Sequence, residues 1–185
     1  MKRFFRAAIV LPLGIVLGLA AWWLQDRITV RPLPQFPLQL QGKVQTIDDG
    51  DSFIVSTAPH GLVHVRLHAI DAPELVQSHG PQARRALAEL IADRKVALDC
   101  YKADPRGRAV CRVRIGEQDP ERVLLERGLA WHYAQFAREQ RSDDRRAYEQ
   151  AQDEARAARR GLWQQLDPMP PSTCRERLRE LRGCD

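Results

Sequence analysis

The sequence predicts an α+β chain, mainly a small five-stranded β-barrel with three packed helices, preceded by an N-terminal hydrophobic helix. Three observations carry this expectation. Strand-like runs occupy residues 42–47, 52–56 and 62–70, and two more occupy 95–101 and 108–115. One helical stripe separates the third run from the fourth. Two further helical stretches follow the fifth run, an order that does not suit a doubly wound sheet.

Each element has its own signal. Residues 62–70 alternate Val63, Val65 and Leu67 with His64, Arg66 and His68. That is the period of a half-buried strand, and it places Arg66 with the histidines on the face away from the core. The fourth and fifth runs read as a hairpin around Asp104-Pro105-Arg106-Gly107-Arg108. Pro81 is a good first helical residue, and Ala83, Ala86, Leu87, Leu90 and Ile91 make one apolar stripe behind it. Asp119-Pro120-Glu121 opens the second helix and Gly128 closes it. Ser142-Asp143-Asp144 opens the third, which turns Ala147, Tyr148, Ala151 and Ala155 inward. Arg156, Arg159 and Arg160 complement its C-terminal dipole before Gly161 ends it. This order suits an oligonucleotide/oligosaccharide-binding (OB) barrel from about Leu40 to Ile115, within a domain spanning 40–166.

The flanks read differently. A basic segment, 1–6, precedes residues 7–24, which carry no charge and end in Trp22-Trp23-Leu24. The pattern is that of a transmembrane anchor or a signal segment. The basic residues before it place the domain outside the cytosol, on a single inner-membrane span facing the periplasm, or secreted if the segment is cleaved. A proline-rich linker, 25–39, follows, because three prolines in Pro32-Leu33-Pro34-Gln35-Phe36-Pro37 forbid helix. The tail, 167–185, begins at a second proline break, and its charged helical stretch, 175–182, is too short and polar to form a core.

The 185 residues carry a net charge of +5 and a pI near 9.3. Most of that excess lies in residues 1–37, with five basic residues and one acidic. Attraction for phosphate must therefore come from where arginines are placed, not from bulk charge. Four cysteines in an exported domain favour disulfides. Cys100 and Cys111 are symmetric about the turn at Pro105-Arg106 and are expected to pair. Cys174–Cys184 is a possible second bridge, which needs Gly183 to turn the chain back. No Cys-x2-Cys pair supports zinc. His60, His64 and His68 recur every fourth residue, about 13 Å apart in a strand, too far for one ion.

Chemistry concentrates in three motifs: Asp48-Asp49-Gly50-Asp51-Ser52, Arg66-Leu67-His68-Ala69-Ile70-Asp71-Ala72-Pro73-Glu74, and Gly107-Arg108. A hard divalent cation wants oxygen ligands from several segments. Phosphoryl transfer wants that cation, a base to prepare water, and guanidinium forks on the phosphate oxygens. Asp51 and Asp71 come from different strands and are the candidate metal ligands. Asp49 stands behind them, since crowding three acids within four residues costs repulsion unless a cation relieves it.

The three motifs, in this order, resemble the staphylococcal (thermonuclease-like) nuclease family over about Leu40 to Trp163. The resemblance implies Ca²⁺ held by Asp51, Asp71 and the Ala72 backbone carbonyl. It implies Glu74 as general base, Arg66 and Arg108 as phosphate clamps, and DNA or RNA as substrate of a sugar-nonspecific endonuclease acting as a monomer. The chain departs from the family where a lysine and a tyrosine often precede the glycine and arginine, since Pro105 and Arg106 stand there. Trp131-His132-Tyr133-Ala134-Gln135-Phe136 supplies aromatics at shifted positions, and Trp131 is either a base-stacking ring or core. The alternative function is a non-cleaving OB module, tethered to the membrane, that binds nucleic acid or protein. Against it, none of Arg66, Asp71, Glu74 and Arg108 has been lost.

Overall fold

The computed structural model describes residues 35–184. The hydrophobic segment 7–24, the basic flank and most of the linker lie outside them. Among the described residues no helix is long and apolar enough to cross a membrane.

Five strands close the barrel: β1 (Leu38–Ile47), β2 (Ser52–Thr57), β3 (Gly61–Leu67), β5 (Lys95–Ala103) and β6 (Ala109–Arg114). Their order is β1-β2-β3-β6-β5, and β5 returns to β1. All pairs are antiparallel except β3 with β6. Two short strands, β4 (Ile70–Asp71) and β7 (Trp131–His132), pair separately, Asp71 opposite Trp131. β1 begins two residues earlier than Leu40, and its length lets it serve two partners. Residues 38–43 pair with β5, while 42–47 pair with β2 across a register shift between Val44 and Thr46.

The third run is not one strand through residue 70. β3 stops at Leu67, and Ala69 takes a left-handed φ of 65° before β4 begins. This kink sends Asp71 away from the barrel ladder and toward β7.

Helix α1 (Gly80–Ile91) buries the stripe read from the sequence, Ala83, Ala86, Leu87, Leu90 and Ile91, against the barrel end. The same core cluster holds Phe53, Val55, Val65, Leu67 and Leu98, each fully or almost fully buried. Burying one such side chain contributes about 2 kcal/mol, which is why local period and global fold agree here. Helix α2 (Pro120–Glu126) is capped by Asp119, whose side chain accepts from the Arg122 amide at 3.0 Å. Helix α3 (Ser142–Ala157) ends four residues before Gly161, and Arg159 shares the left-handed reversal with it. Leu162 and Trp163 then join Ala155 in a second small apolar cluster, on which Trp131 packs edge-on at 5.6 Å from Trp163. Trp131 is thus a packing residue of that cluster.

The tail is a fourth helix, α4 (Pro171–Arg179), and it is docked. Cys174 is completely buried and bonded to Cys184, and Cys100 is bonded to Cys111, its direct partner across β5 and β6. Leu181, at φ 57°, makes the reversal that the sequence assigned to Gly183.

Candidate active site

The site is built where β2 begins, β3 ends and β4 kinks away. Asp49 opens the turn into β2 by accepting from the Asp51 amide at 2.9 Å. Gly50 between them does not have the left-handed backbone of a glycine turn. Its hydrogen is required for a different reason: a Cβ there would lie 2.6 Å from that of Ala83 and 2.7 Å from that of Ala72. Helix α1 and the Asp71 loop close directly over the turn, and Asp51 is thereby brought to the loop. Its Oδ2 accepts from the Ala72 amide at 2.9 Å, across 21 positions of chain.

Arg66 lies between the two aspartates. One arm of its guanidinium pairs with Asp51 and the other donates to Asp71 Oδ1 at 2.8 Å, with a weaker contact to the Ile70 carbonyl at 3.4 Å. Asp51 and Asp71 are 4% and 2% exposed and Arg66 is 9% exposed. The expected solvent-facing position of Arg66 is therefore wrong. Strand period reports a face, but at this end of the barrel that face is covered. His68 is buried by the same closure. Burial opposes charge on Arg66, but Asp51 and Asp71 outweigh it and hold the guanidinium firmly protonated. Asp49 is pushed the other way: burial, then the nearby Asp51 charge, raise its carboxyl above the usual range.

Glu74 stands half-exposed beside this pair, on a loop held by Gln77. The Gln77 Oε1 accepts from the Glu74 amide at 2.8 Å, and its Nε2 donates to the Met169 carbonyl at 2.8 Å. A single buried amide thus ties the catalytic-candidate loop to the tail. Gly80 completes the bracket, since any Cβ there would collide with the Glu74 carbonyl.

The residue that sequence reasoning missed is Arg175. From α4 its Nη1 donates to Asp71 Oδ1 at 3.1 Å and to Glu74 Oε1 at 2.8 Å, and its Nη2 donates to Asp71 Oδ2 at 2.9 Å. Burial opposes its charge, yet Asp71 and then Glu74 hold it strongly protonated. The only signal in the sequence was an arginine beside a cysteine, in a segment read as too short and polar to form a core.

Arg108 is held apart from this cluster. Its Nε and Nη2 bond Asp104 at 2.8 and 2.7 Å, and Asp104 also accepts from the backbone amides of Arg106 and Arg108. Asp104, not Asp71 or Glu74, is its carboxylate partner. Asp48 lies 2.7 Å from His64 Nε2.

The donor set fits a hard cation. Two buried carboxylates flank one guanidinium, and a second guanidinium sits on both oxygens of Asp71, so positive charge is what this pocket holds. Among the described residues no three His, Cys, Asp or Glu side chains converge as a complete cage. A cation here would take Asp51 and Asp71, with backbone, water and substrate oxygens completing its shell.

A closed five-stranded barrel carrying paired aspartates, a buried arginine between them and a glutamate at its end defines a phosphodiester-hydrolysing enzyme. The chain belongs to the staphylococcal nuclease family: residues 64–165 match the family described as staphylococcal nuclease homologue. It is similar to an uncharacterized endonuclease of Haemophilus influenzae, 32% identical over 72% of this chain and 71% of that one. An uncharacterized endonuclease of Escherichia coli O157:H7 is 30% identical over 78% of this chain and 90% of its own. A probable staphylococcal-like nuclease of Oryza sativa subsp. japonica is 34% identical over 64% of this chain, which spans only 30% of that longer protein. The protein is a hydrolytic nuclease.

Proposed function

We propose that the protein is a calcium-dependent, sugar-nonspecific endonuclease that hydrolyses DNA and RNA by in-line attack of water. The observation that carries this reading is the seating of Asp51 and Asp71 on the single Arg66 guanidinium, with Glu74 linked to Asp71 through Arg175. Asp51, Asp71 and the Ala72 carbonyl would hold Ca²⁺, which supplies Lewis-acid stabilisation of charge on the phosphoryl oxygens. Calcium is chosen over other hard cations on the family resemblance.

Glu74 takes a proton from water as the water oxygen bonds to phosphorus. On the opposite side the bond to one ester oxygen breaks, and that oxygen leaves with the electron pair and is then protonated. Arg66 and Arg108 brace the oxygens on which negative charge builds. Asp104 supports the Arg108 role by fixing its guanidinium at the mouth of β6. Asp49 holds the Asp51 turn. The uncharged run at 7–24 supports a domain carried outside the cytosol, on an inner-membrane anchor or released from one.

The test is incubation of the full chain with plasmid DNA, single-stranded DNA and RNA, in calcium and in chelator. Cleavage should require calcium, and Glu74→Gln should lower the rate by about a hundredfold or more while DNA binding persists. Equal cleavage in chelator, or normal cleavage by Glu74→Gln, overturns the mechanism. Binding without any cleavage by the wild type would leave a non-cutting module in its place.

A further inference from the structure

A groove of about 450 Å³ runs from the site over α4, lined by Glu74, Arg106, Ser172, Arg175, Leu178 and Arg179. Four of these come from one face of α4, at the three- and four-residue steps that align helical side chains. Arg175 and Arg179 stand about 6 Å apart along that face. The opposite wall is Arg106, at the tip of the β5–β6 turn, whose backbone is pinned by Asp104 at 2.9 Å.

Two features make this a built surface. The helix is fastened to the domain by Arg175 itself, which bonds Asp71 and Glu74, and by the Gln77 bond to Met169 just ahead of it. The wall is therefore rigid, although it belongs to the chain terminus. Second, the charges are unbalanced. Among the described residues no carboxylate pairs with the exposed guanidinium of Arg106 or of Arg179, whereas Arg66, Arg108, Arg112 and Arg175 all have carboxylate partners. Unpaired like charges facing one groove repel each other unless an anion enters it. The groove is open, its charges repeat, and Leu178 offers apolar surface beside them. Those properties suit one strand of a nucleic acid better than a small anion.

We propose that α4 is a wall of the substrate groove, on which Arg179, with Arg106 opposite, binds the backbone phosphates flanking the one being cleaved. This deepens the nuclease reading and rests on it. The contacts are to phosphate, so they supply affinity without base preference. The second disulfide closes the tail on itself behind this short helix, which has no core of its own.

The test is a salt titration of binding, read by fluorescence anisotropy with a labelled single-stranded oligothymidine, on the Glu74→Gln full chain in calcium. Arg106→Ala and Arg179→Ala should each lower the slope of log affinity against log salt by about 0.7, and the double variant by about 1.4. Arg179→Lys should keep the slope of its parent, because the charge is retained. A double variant with unchanged slope and an unaltered near-ultraviolet dichroism spectrum overturns the groove. If the parent binds and the wild type cleaves, that result rejects the groove alone. If the wild type neither binds nor cleaves, the nuclease reading fails and the groove fails with it.

Discussion

Arg175 Nη2 donates to Asp71 Oδ2 at 2.9 Å although 104 positions of chain separate the two residues. Because Nη1 also reaches Oδ1, this tail arginine faces both oxygens of a proposed cation ligand. An arginine and a cation cannot both have Asp71 on those terms. The Arg175 side chain is 27% exposed, so it has room to leave. Arg175→Met, which keeps the length and removes the charge, should tighten calcium binding by about tenfold, as expected for loss of one competing charge. Isothermal titration without nucleic acid measures this directly. Equal or weaker affinity in the variant would show that Arg175 and the cation do not compete.

Gln77 is the joint between the Glu74 loop and the tail, through the Glu74 amide and the Met169 carbonyl. Gln77→Leu fills the same space but leaves both backbone groups without a partner, at a cost of about 2 kcal/mol. Chemical denaturation should report that loss. Hydrogen exchange should show the Glu74 amide opening faster, and turnover should fall more than substrate affinity. An unchanged exchange rate would mean that the loop is held by something else.

His68 is buried between Tyr101 and Phe136, at ring distances of 4.6 and 6.1 Å. Burial lowers its pKa to about 4; Glu139 opposes that shift and Lys102 and Arg112 add to it. The neutral ring is the folded form, so its contribution to stability is fully present above about pH 6.5. It is lost as pH falls toward about 4, by roughly 3 kcal/mol in total. His68→Gln should flatten the stability profile across that interval. A profile identical to the wild type would rule out His68 as the acid-sensitive group.

Glu121 is completely buried on α2, and its Oε1 accepts from the Val113 amide at 2.9 Å. Burial, and then the Asp119 charge, raise its carboxyl well above the ordinary value near 4.5, with Arg112 acting the other way. The folded state keeps a proton that the unfolded chain gives up. Stability is therefore fully present below the ordinary value and falls as pH rises from there, by at most about 1.4 kcal/mol per unit. Glu121→Gln keeps the bond to Val113 and has no proton to lose. Its denaturation midpoint should hold steady where that of the wild type declines, and a parallel decline would defeat the assignment.

Local pattern accounts for much of the molecule. The alternation at 62–67, the stripe from Ala83 to Ile91, the cap at Asp119 and the pairing of Cys100 with Cys111 all follow from periods and turns within a few residues. The first two motifs likewise mark the segments that meet at Arg66, Asp51 and Asp71.

Tertiary structure decided the rest, because a period names a face and says nothing about what will cover it. Arg66 read as solvent-facing, yet it is enclosed because Asp51 and Asp71 converge on it from two other segments. Gly50 is required because Ala72 and Ala83 arrive from elsewhere in the chain. The tail read as a polar appendage. Its place in the site depends on Arg175, 104 positions from Asp71, and on one glutamine 92 positions away from the carbonyl it holds, and chain separations of that size leave no trace in local sequence.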